Sequence, residues 1–201
     1  MIRTVRALPV LLLLPALAVA CGTETAAGAD PAELASRARA LGIAPEHVYV
    51  TDASGYTLAQ QSVGVFGDDG FSAVYVSQKE GKQLQLSVDR GSMTAESCPE
   101  QPVGDSSGTA TTCVRDGDFW FRSAGERREF AVPKEGFVIH LGGEGVPRDV
   151  LREAAENLHR PSADELDALL PPATGRGEPV ERGDLPSEGD GAPDNSVGEG
   201  G

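Results

Sequence analysis

The sequence has few cationic side chains. Lysine and arginine together number 17 against 31 aspartates and glutamates, which gives a formal charge of −14 at neutral pH. Binding to nucleic acid requires Lys and Arg to displace counterions from phosphates, and adhesion to anionic lipid depends on the same side chains. The composition therefore argues against both kinds of partner.

Long hydrophobic runs are also missing. The uncharged apolar stretch near the start, residues 7–20, contains two prolines. A helix of its 14 residues would rise about 21 Å, less than the roughly 30 Å of a hydrocarbon core. Arg3 and Arg6 precede the run and small residues end it, an arrangement typical of a secretory signal peptide over residues 1–20.

Cysteine is scarce, and its three positions, Cys21, Cys98 and Cys113, are informative. An exported protein folds where disulfides persist. Cys98 and Cys113 lie close enough in sequence to pair, and the stretch between them is rich in Pro, Gly and Ser. That pairing leaves Cys21 odd, and an odd cysteine in an exported protein requires an explanation.

The residues before Cys21 supply one. Leu17-Ala18-Val19-Ala20-Cys21 resembles the lipobox of bacterial lipoproteins, although Leu17 stands one position earlier than usual. The resemblance implies that Cys21 becomes the mature N-terminus and carries palmitate-type acyl chains. The protein would then be anchored to the cell membrane, facing the extracytoplasmic side. The alternative is an ordinary A-x-A cleavage site, cut at the same bond and leaving a free thiol.

Lysine is rare beside arginine, whereas alanine and glycine are abundant. Together with the lipobox, this composition is similar to that of actinobacterial membrane lipoproteins of unassigned function. The specific motif covers only residues 1–21, so the resemblance implies no catalytic residue.

Composition divides the mature chain into three parts. Residues 21–30 are small and polar and predict a flexible tether. Residues 171–201 are acidic and rich in Gly and Pro, which predicts a disordered tail because they cannot bury enough apolar surface to offset chain entropy. Residues 31–170 remain for one globular domain.

The domain has a helix–strands–helices pattern. Asp30 is placed to cap a helix that ends at Gly42, and Ser162 with Glu165 forms a capping box before a short last helix. A further helix is predicted over residues 147–159. Strands are predicted at residues 47–51, 56–66, 71–77, 83–89, 111–115, 118–122, 127–132 and 137–141. Short turns favour antiparallel neighbours. The class is therefore α+β, a single antiparallel β-meander sheet with the N-terminal helix and the two C-terminal helices packed on one face.

One motif suggests hydrolysis. Gly104-Asp105-Ser106-Ser107-Gly108 matches G-x-S-x-G, and Ser106 could act with His140 or His159. A nucleophile elbow needs a strand before the serine and a helix after it, whereas this motif lies inside the Cys98–Cys113 stretch. We expect a polar loop and no enzyme.

The histidines do not predict a metal site. His47 and His140 fall in predicted strands and His159 at a helix end, where the helix dipole accounts for it. No pair has ligand spacing. We expect no metal and no cofactor.

Three short segments could be mistaken for ligand sites. Gly142-Gly143-Glu144-Gly145 precedes a helix, but Glu144 and Asp149 would repel phosphate, so we interpret the segment as a turn. Asp68-Asp69-Gly70 and Asp116-Gly117-Asp118 lack the ligand ladder of a calcium loop and predict hairpin turns.

The aromatic run Phe119-Trp120-Phe121 is the best candidate for a ligand or partner patch. We expect a lipid-anchored, non-enzymatic binding domain that recognises an unidentified envelope protein or a small apolar ligand. One alternative is a carrier or sensor that holds an apolar ligand on the concave face of the sheet, and the other is the small serine hydrolase.

Overall fold

The computed structural model describes residues 28–172. The predictions for the signal peptide, for Cys21, for most of the tether and for the tail beyond Pro172 lie outside the described residues. Within those residues, no helix is both long enough and apolar enough to cross a membrane.

The first helix, α1 (Pro31–Ala40), begins as the sequence predicts. The Asp30 carboxylate accepts hydrogen bonds from the amides of Ala32 and Glu33 and so satisfies two free N–H groups of the first turn. Leu34 and Ala38 turn toward the core.

Arg37 is an enclosed charge on α1. Its guanidinium is buried, donates to the Leu170 carbonyl at 3.0 Å and pairs with Asp167 at 2.7 Å. The end of the last helix packs over this side of α1, so a charge that sequence periodicity places in solvent is enclosed.

The sheet has eight strands, and every pairing is antiparallel. The strands are β1 (Thr57–Leu58), β2 (Gly64–Phe66), β3 (Gly70–Val76), β4 (Gln83–Arg90), β5 (Thr112–Asp116), β6 (Phe119–Ala124), β7 (Arg127–Pro133) and β8 (Phe137–Glu144). Their order is β1-β3-β4-β8-β7-β6-β5, and β2 also pairs with β3. β5 to β8 form the predicted meander, which joins the first half of the sheet where β8 pairs with β4.

Two helices follow the sheet, α2 (Arg148–Glu156) and α3 (Ala163–Leu169). The predicted capping box is present, because Ser162 accepts from the Glu165 amide and the Glu165 carboxylate accepts from the Ser162 amide. All three helices contribute to one core against the same sheet face, which we call the helix face. The strand residues there include Phe71, Leu84, Leu86, Phe130, Ile139 and Leu141. The α+β class with a single antiparallel sheet is confirmed.

The predicted strand at residues 47–51 is wrong. The chain forms a 3₁₀ turn at Pro45–His47, and only Val50 makes an isolated bridge, with His159. The Arg160 guanidinium donates to three carbonyl oxygens of this segment, at 2.6 to 3.0 Å. Those oxygens are therefore not available to a neighbouring strand.

Two other predicted elements are shorter than expected. The extended run at residues 56–66 is divided by a 3₁₀ turn at Gln60–Ser62, where the Ser62 hydroxyl replaces a backbone partner of the Val74 amide, at 2.8 Å. The helix predicted to reach His159 ends at Glu156, because the Asn157 side chain turns to the Asp52 carbonyl at 3.0 Å.

The other side of the sheet, the open face, is partly covered by the segment between β4 and β5. Residues 98–113 of that segment form a disulfide loop. A small second core lies beneath it and comprises Met93, Cys98, Ala131 and Val138, with Cys113 and Trp120 packed against them.

The start of the described chain is docked on the domain. Gly28 pairs with Ser162 in an isolated bridge, and the Ala29 amide donates to the Pro161 carbonyl at 3.1 Å. Residues 28–30, expected to end the flexible tether, therefore belong to the folded unit.

Candidate functional site

The predicted disulfide between Cys98 and Cys113 is confirmed, with the two Cα atoms 6.2 Å apart. Cys98 is buried, and Cys113 lies on β5. In the chain-entropy model, a cross-link that closes a loop of this size stabilises the fold by about 3 kcal/mol. The disulfide loop is thus fixed against the open face.

A buried ion pair holds the same loop. Arg122 of β6 lies opposite Glu129 of β7, and its Nη1 is 2.5 Å from Glu129 Oε1. Arg122 Nη2 donates to the carbonyls of Cys98, Gln101 and Pro102 at 3.3, 2.5 and 3.1 Å. A single fully buried guanidinium therefore links the sheet to the loop.

His140 of β8 extends this charge cluster. Its Nδ1 is 2.9 Å from Glu129 Oε1, and its Nε2 is 3.4 Å from Asp89 Oδ1 on β4. Burial disfavours the charged ring, but the hydrogen bonds to Asp89 and Glu129 and their negative charges outweigh it and raise the pKa of His140 to about 9. At neutral pH the ring is an imidazolium and holds its proton, so it is not poised to act as a general base.

The environment of Glu129 favours its charged form. Burial alone would raise its pKa, but the hydrogen bond from His140 and the charges of His140 and Arg122 hold that pKa below its usual range. Arg122, Glu129, His140 and Asp89 therefore carry two positive and two negative charges, which cancel.

The cluster forms the floor of a cleft of about 240 Å³ between the disulfide loop and β2, which we call the His140 cleft. Its floor is Ser87, Asp89, Glu129 and His140. Phe66 and loop residues 101, 102 and 104 form its walls.

A larger cleft of about 590 Å³ adjoins it on the open face and is lined mainly by Gln, Glu, Lys, Arg and Gly residues. Arg127 lies between the two clefts and donates to Gln85 at 3.3 Å. The apolar-carrier alternative expects an enclosed apolar cavity on this face. The larger cleft is lined largely by polar and charged groups, whereas the His140 cleft combines a charged floor with apolar surface on its walls.

Gly142, Gly143 and Glu144 correct the predicted turn, because they continue β8. A Cβ atom at Gly142 would lie 2.7 Å from the Cβ of Glu129, and one at Gly143 would lie 2.3 Å from the Gln83 carbonyl oxygen. These glycines permit close strand packing and do not form an anion cradle.

Ser106 is not assembled with a histidine. Its hydroxyl donates to the Val103 carbonyl at 2.6 Å. The ring nitrogens of His140 face Glu129 and Asp89, and those of His159 lie 2.7 Å from the Asn157 carbonyl and 3.0 Å from a Glu165 oxygen. The geometry brings no nucleophile–base pair together at Ser106.

The remaining histidine is structural. His47 is buried, contacts the Asp69 carbonyl at 3.1 Å and meets Phe137 edge-on with ring centroids 5.1 Å apart. In residues 28–172, no group of three or more His, Cys, Asp or Glu side chains could hold a metal ion.

The three candidate patch aromatics lie on opposite faces of β6. Phe119 and Phe121 pack on Phe130 in the main core, with centroid distances of 6.2 and 5.2 Å. Trp120 lies on the open face beneath Arg115, whose guanidinium is 5.0 Å from the ring centroid. Since side chains alternate along a strand, they do not form one shared patch, and only Trp120 belongs to the open face.

Arg122 and Glu129 are the site residues that the sequence interpretation missed. A signal was present: the β6–β7 turn at Gly125 sets a register that places the two residues directly opposite each other. Opposite charges at facing positions, one residue from a buried aromatic on each strand, indicate an ion pair.

The comparisons with known proteins add no family to this geometry. No family model, curated protein or solved structure matches the chain.

Proposed function

We propose that the protein is a non-enzymatic binding domain, anchored by acyl chains on Cys21 to the extracytoplasmic side of the cell membrane, and that it presents its open face to a ligand or partner at the cell envelope. The observation that carries the anchor is the Cys98–Cys113 bond. It occupies the other two cysteines and leaves Cys21, at the end of the apolar run, as the remaining cysteine.

Acylation is also the attachment that the charge of the chain favours. Cleavage before Cys21 removes Arg3 and Arg6, which takes the formal charge from −14 to −16. Anionic lipid would repel such a body, whereas two or more acyl chains anchor it stably at about 0.8 kcal/mol per buried CH₂.

The binding part of the proposal is supported by the construction of the open face. The His140 cleft has a floor of paired charges on adjacent strands and a wall held by a disulfide and by Arg122. A rigid concave surface with a few fixed polar groups is typical of a small-molecule or side-chain binding site. Its charged floor favours a ligand that carries a polar or charged group, and its apolar walls can contact an aliphatic part of the same ligand.

Mass spectrometry of the protein from its own cell envelope tests the anchor. We expect the peptide that begins at Cys21 to carry the mass of its acyl chains. Cys21→Ala should release the protein into the medium or leave an uncleaved precursor. Cys98→Ala/Cys113→Ala is the matched control and should keep its acyl chains. A bare thiol on Cys21, or normal membrane retention of a cleaved Cys21→Ala protein, contradicts the anchor.

A further inference from the structure

Two buried polar side chains on the floor of the His140 cleft have unused hydrogen-bonding capacity. Ser87 is 8% exposed, and its hydroxyl has no hydrogen-bond partner within residues 28–172. Glu129 is 5% exposed, and its Oε1 accepts hydrogen bonds from both Arg122 and His140. Its Oε2 accepts a hydrogen bond from no described residue. Both residues line the cleft, and neither of these two oxygen atoms is among the fully enclosed polar atoms that lack a partner. They are therefore free to accept hydrogen bonds from an occupant of the cleft.

The free groups in the cleft accept hydrogen bonds. Glu129 Oε2 and the Asp89 carboxylate only accept, and the Ser87 hydroxyl accepts as well as donates. The nearby donors are already used, since Arg122 Nη1 and Nη2 bind Glu129 and the loop carbonyls and the two ring nitrogens of His140 face Glu129 and Asp89. Arg122 Nε is enclosed and does not line the cleft. The charged side chains on the floor of the cleft therefore favour an occupant that supplies hydrogen-bond donors.

Size and charge narrow the class of ligand. A cleft of about 240 Å³ admits a head group and a short aliphatic stem. Phe66 lines it with a ring that is 38% exposed, a surface on which a cation can rest. A primary ammonium places three N–H donors on one compact charge, and the net charge of −14 attracts cations to the chain.

We propose that the His140 cleft binds an aliphatic primary ammonium group, with the carboxylates of Glu129 and Asp89 and the hydroxyl of Ser87 as its acceptors. The group belongs either to a free amine or to a lysine side chain of an envelope partner. This inference rests on the open face being the binding surface, as in the proposed function, and does not depend on the acyl anchor.

Binding is coupled to the proton on His140. The groups that face the imidazolium are Asp89 from β4 and Glu129 from β7, and Arg122 of β6 lies behind Glu129. Since these charges cancel when His140 is protonated, a bound ammonium adds an unbalanced positive charge and competes with that proton. Affinity therefore rises as His140 loses its proton above neutral pH, while an alkylamine with a pKa near that of lysine, about 10.4, stays mostly charged up to pH 9.

The test is calorimetric titration of the full chain in mild detergent at pH 7 and pH 9. The probes are n-butylammonium for the free amine and Nα-acetyl-lysine-methylamide for the lysine side chain, with tetramethylammonium as the matched cation without N–H donors. We expect saturable binding of at least one primary-amine probe. Its dissociation constant should be roughly tenfold lower at pH 9 than at pH 7, because His140 loses its proton over part of this pH range. We expect no saturable binding of tetramethylammonium.

Variants separate a built site from general attraction to an acidic protein. Ser87→Ala and Asp89→Asn should each weaken binding several-fold, and His140→Gln should remove its pH dependence. Asp118→Asn is the matched control, because it removes the same charge from an exposed turn residue that does not line the cleft, and it should bind as the parent does. Circular dichroism establishes that each variant is folded.

Each outcome decides the proposal. Binding of only the free amine or only the lysine probe supports it and identifies the source of the ammonium. No saturable binding by the folded parent at pH 9, equal binding of tetramethylammonium, or equal weakening by Asp118→Asn overturns it. The acyl group on Cys21 is measured separately by mass, so failure of either proposal is recognised independently of the other.

Discussion

Arg122 Nη1 lies 2.5 Å from Glu129 Oε1 across the β6–β7 pair, and both side chains are almost completely enclosed. Removing two charges from water is costly, and their attraction repays that cost only when further hydrogen bonds satisfy both groups. Here the guanidinium also donates to a carbonyl of the disulfide loop, and the carboxylate also accepts a hydrogen bond from His140. The pair therefore joins the sheet, the loop and the cleft into one unit.

Replacement of this arginine should be among the most destabilising single changes in the domain. Arg122→Met leaves Glu129 buried with one cationic partner and should lower the free energy of unfolding by about 3–5 kcal/mol, measured by urea denaturation. Arg128→Met, at an exposed position on the neighbouring strand, is the control and should change it by less than about 0.5 kcal/mol. If Arg122→Met matches that control, the pair contributes nothing to stability.

The double variant Arg122→Met/Glu129→Leu should recover part of the loss, because it removes both buried charges together. A double variant that is less stable than either single variant would show that the pair is not the source of the effect.

The disulfide should stabilise the loop more than the sheet. Cys98→Ala/Cys113→Ala should lower the free energy of unfolding by about 3 kcal/mol. Hydrogen exchange should accelerate in residues 98–113, whereas β7 and β8 should stay protected because Arg122 and Glu129 remain paired. Non-reducing peptide mapping of the parent should recover one cross-linked peptide, and two free thiols would contradict the bond.

His140 should make stability depend on pH in a defined window. Its pKa is about 9 in the folded protein and ordinarily about 6.5. The stabilisation it provides is therefore complete below about pH 6.5 and is lost as the pH rises through about 9. Urea midpoints should fall from pH 6 to pH 9, and His140→Gln should flatten that decline. A parent profile that stays level across this window would mean that the folded protein holds the proton of His140 no more tightly than the unfolded chain does.

Gly104 should tolerate a side chain less well than Gly108, although both have positive φ, of 53° and 85°. A Cβ at Gly104 would lie 2.2 Å from Nε of Arg127, whereas one at Gly108 would meet nothing within 4 Å. Gly108→Ala should cost about 1 kcal/mol of backbone strain, and Gly104→Ala should cost more because Arg127 must move. Equal denaturation midpoints for the two variants would argue against the contact.

Local signals predicted much of the secondary structure. The Asp30 and Ser162 caps act within one turn of their helices, and β4 alternates apolar and polar residues over its length. These features were predictable because the groups concerned are near neighbours in sequence. The class of the fold followed from the short turns between the last four strands.

Errors arose where the deciding partner is far away in the chain. The buried Arg37 donates to the Leu170 carbonyl, 133 positions later in the chain. Residues 45–48 are held by hydrogen bonds from Arg160, more than 110 positions away. The His140 cleft has the same character, since its floor and walls come from β2, β4, β7, β8 and the disulfide loop. Only the facing register of β6 and β7 could have indicated the Arg122–Glu129 pair beforehand.

The bridge between Gly28 and Ser162 limits how far the folded domain could lie from a membrane under the anchor proposed above. It brings the N-terminal segment to the start of α3, in the layer of helices. Six residues lie between Cys21 and Gly28, and an extended chain covers at most about 3.6 Å per residue step. Acyl chains on Cys21, as proposed above, would therefore keep the start of α3 within about 25 Å of the bilayer surface.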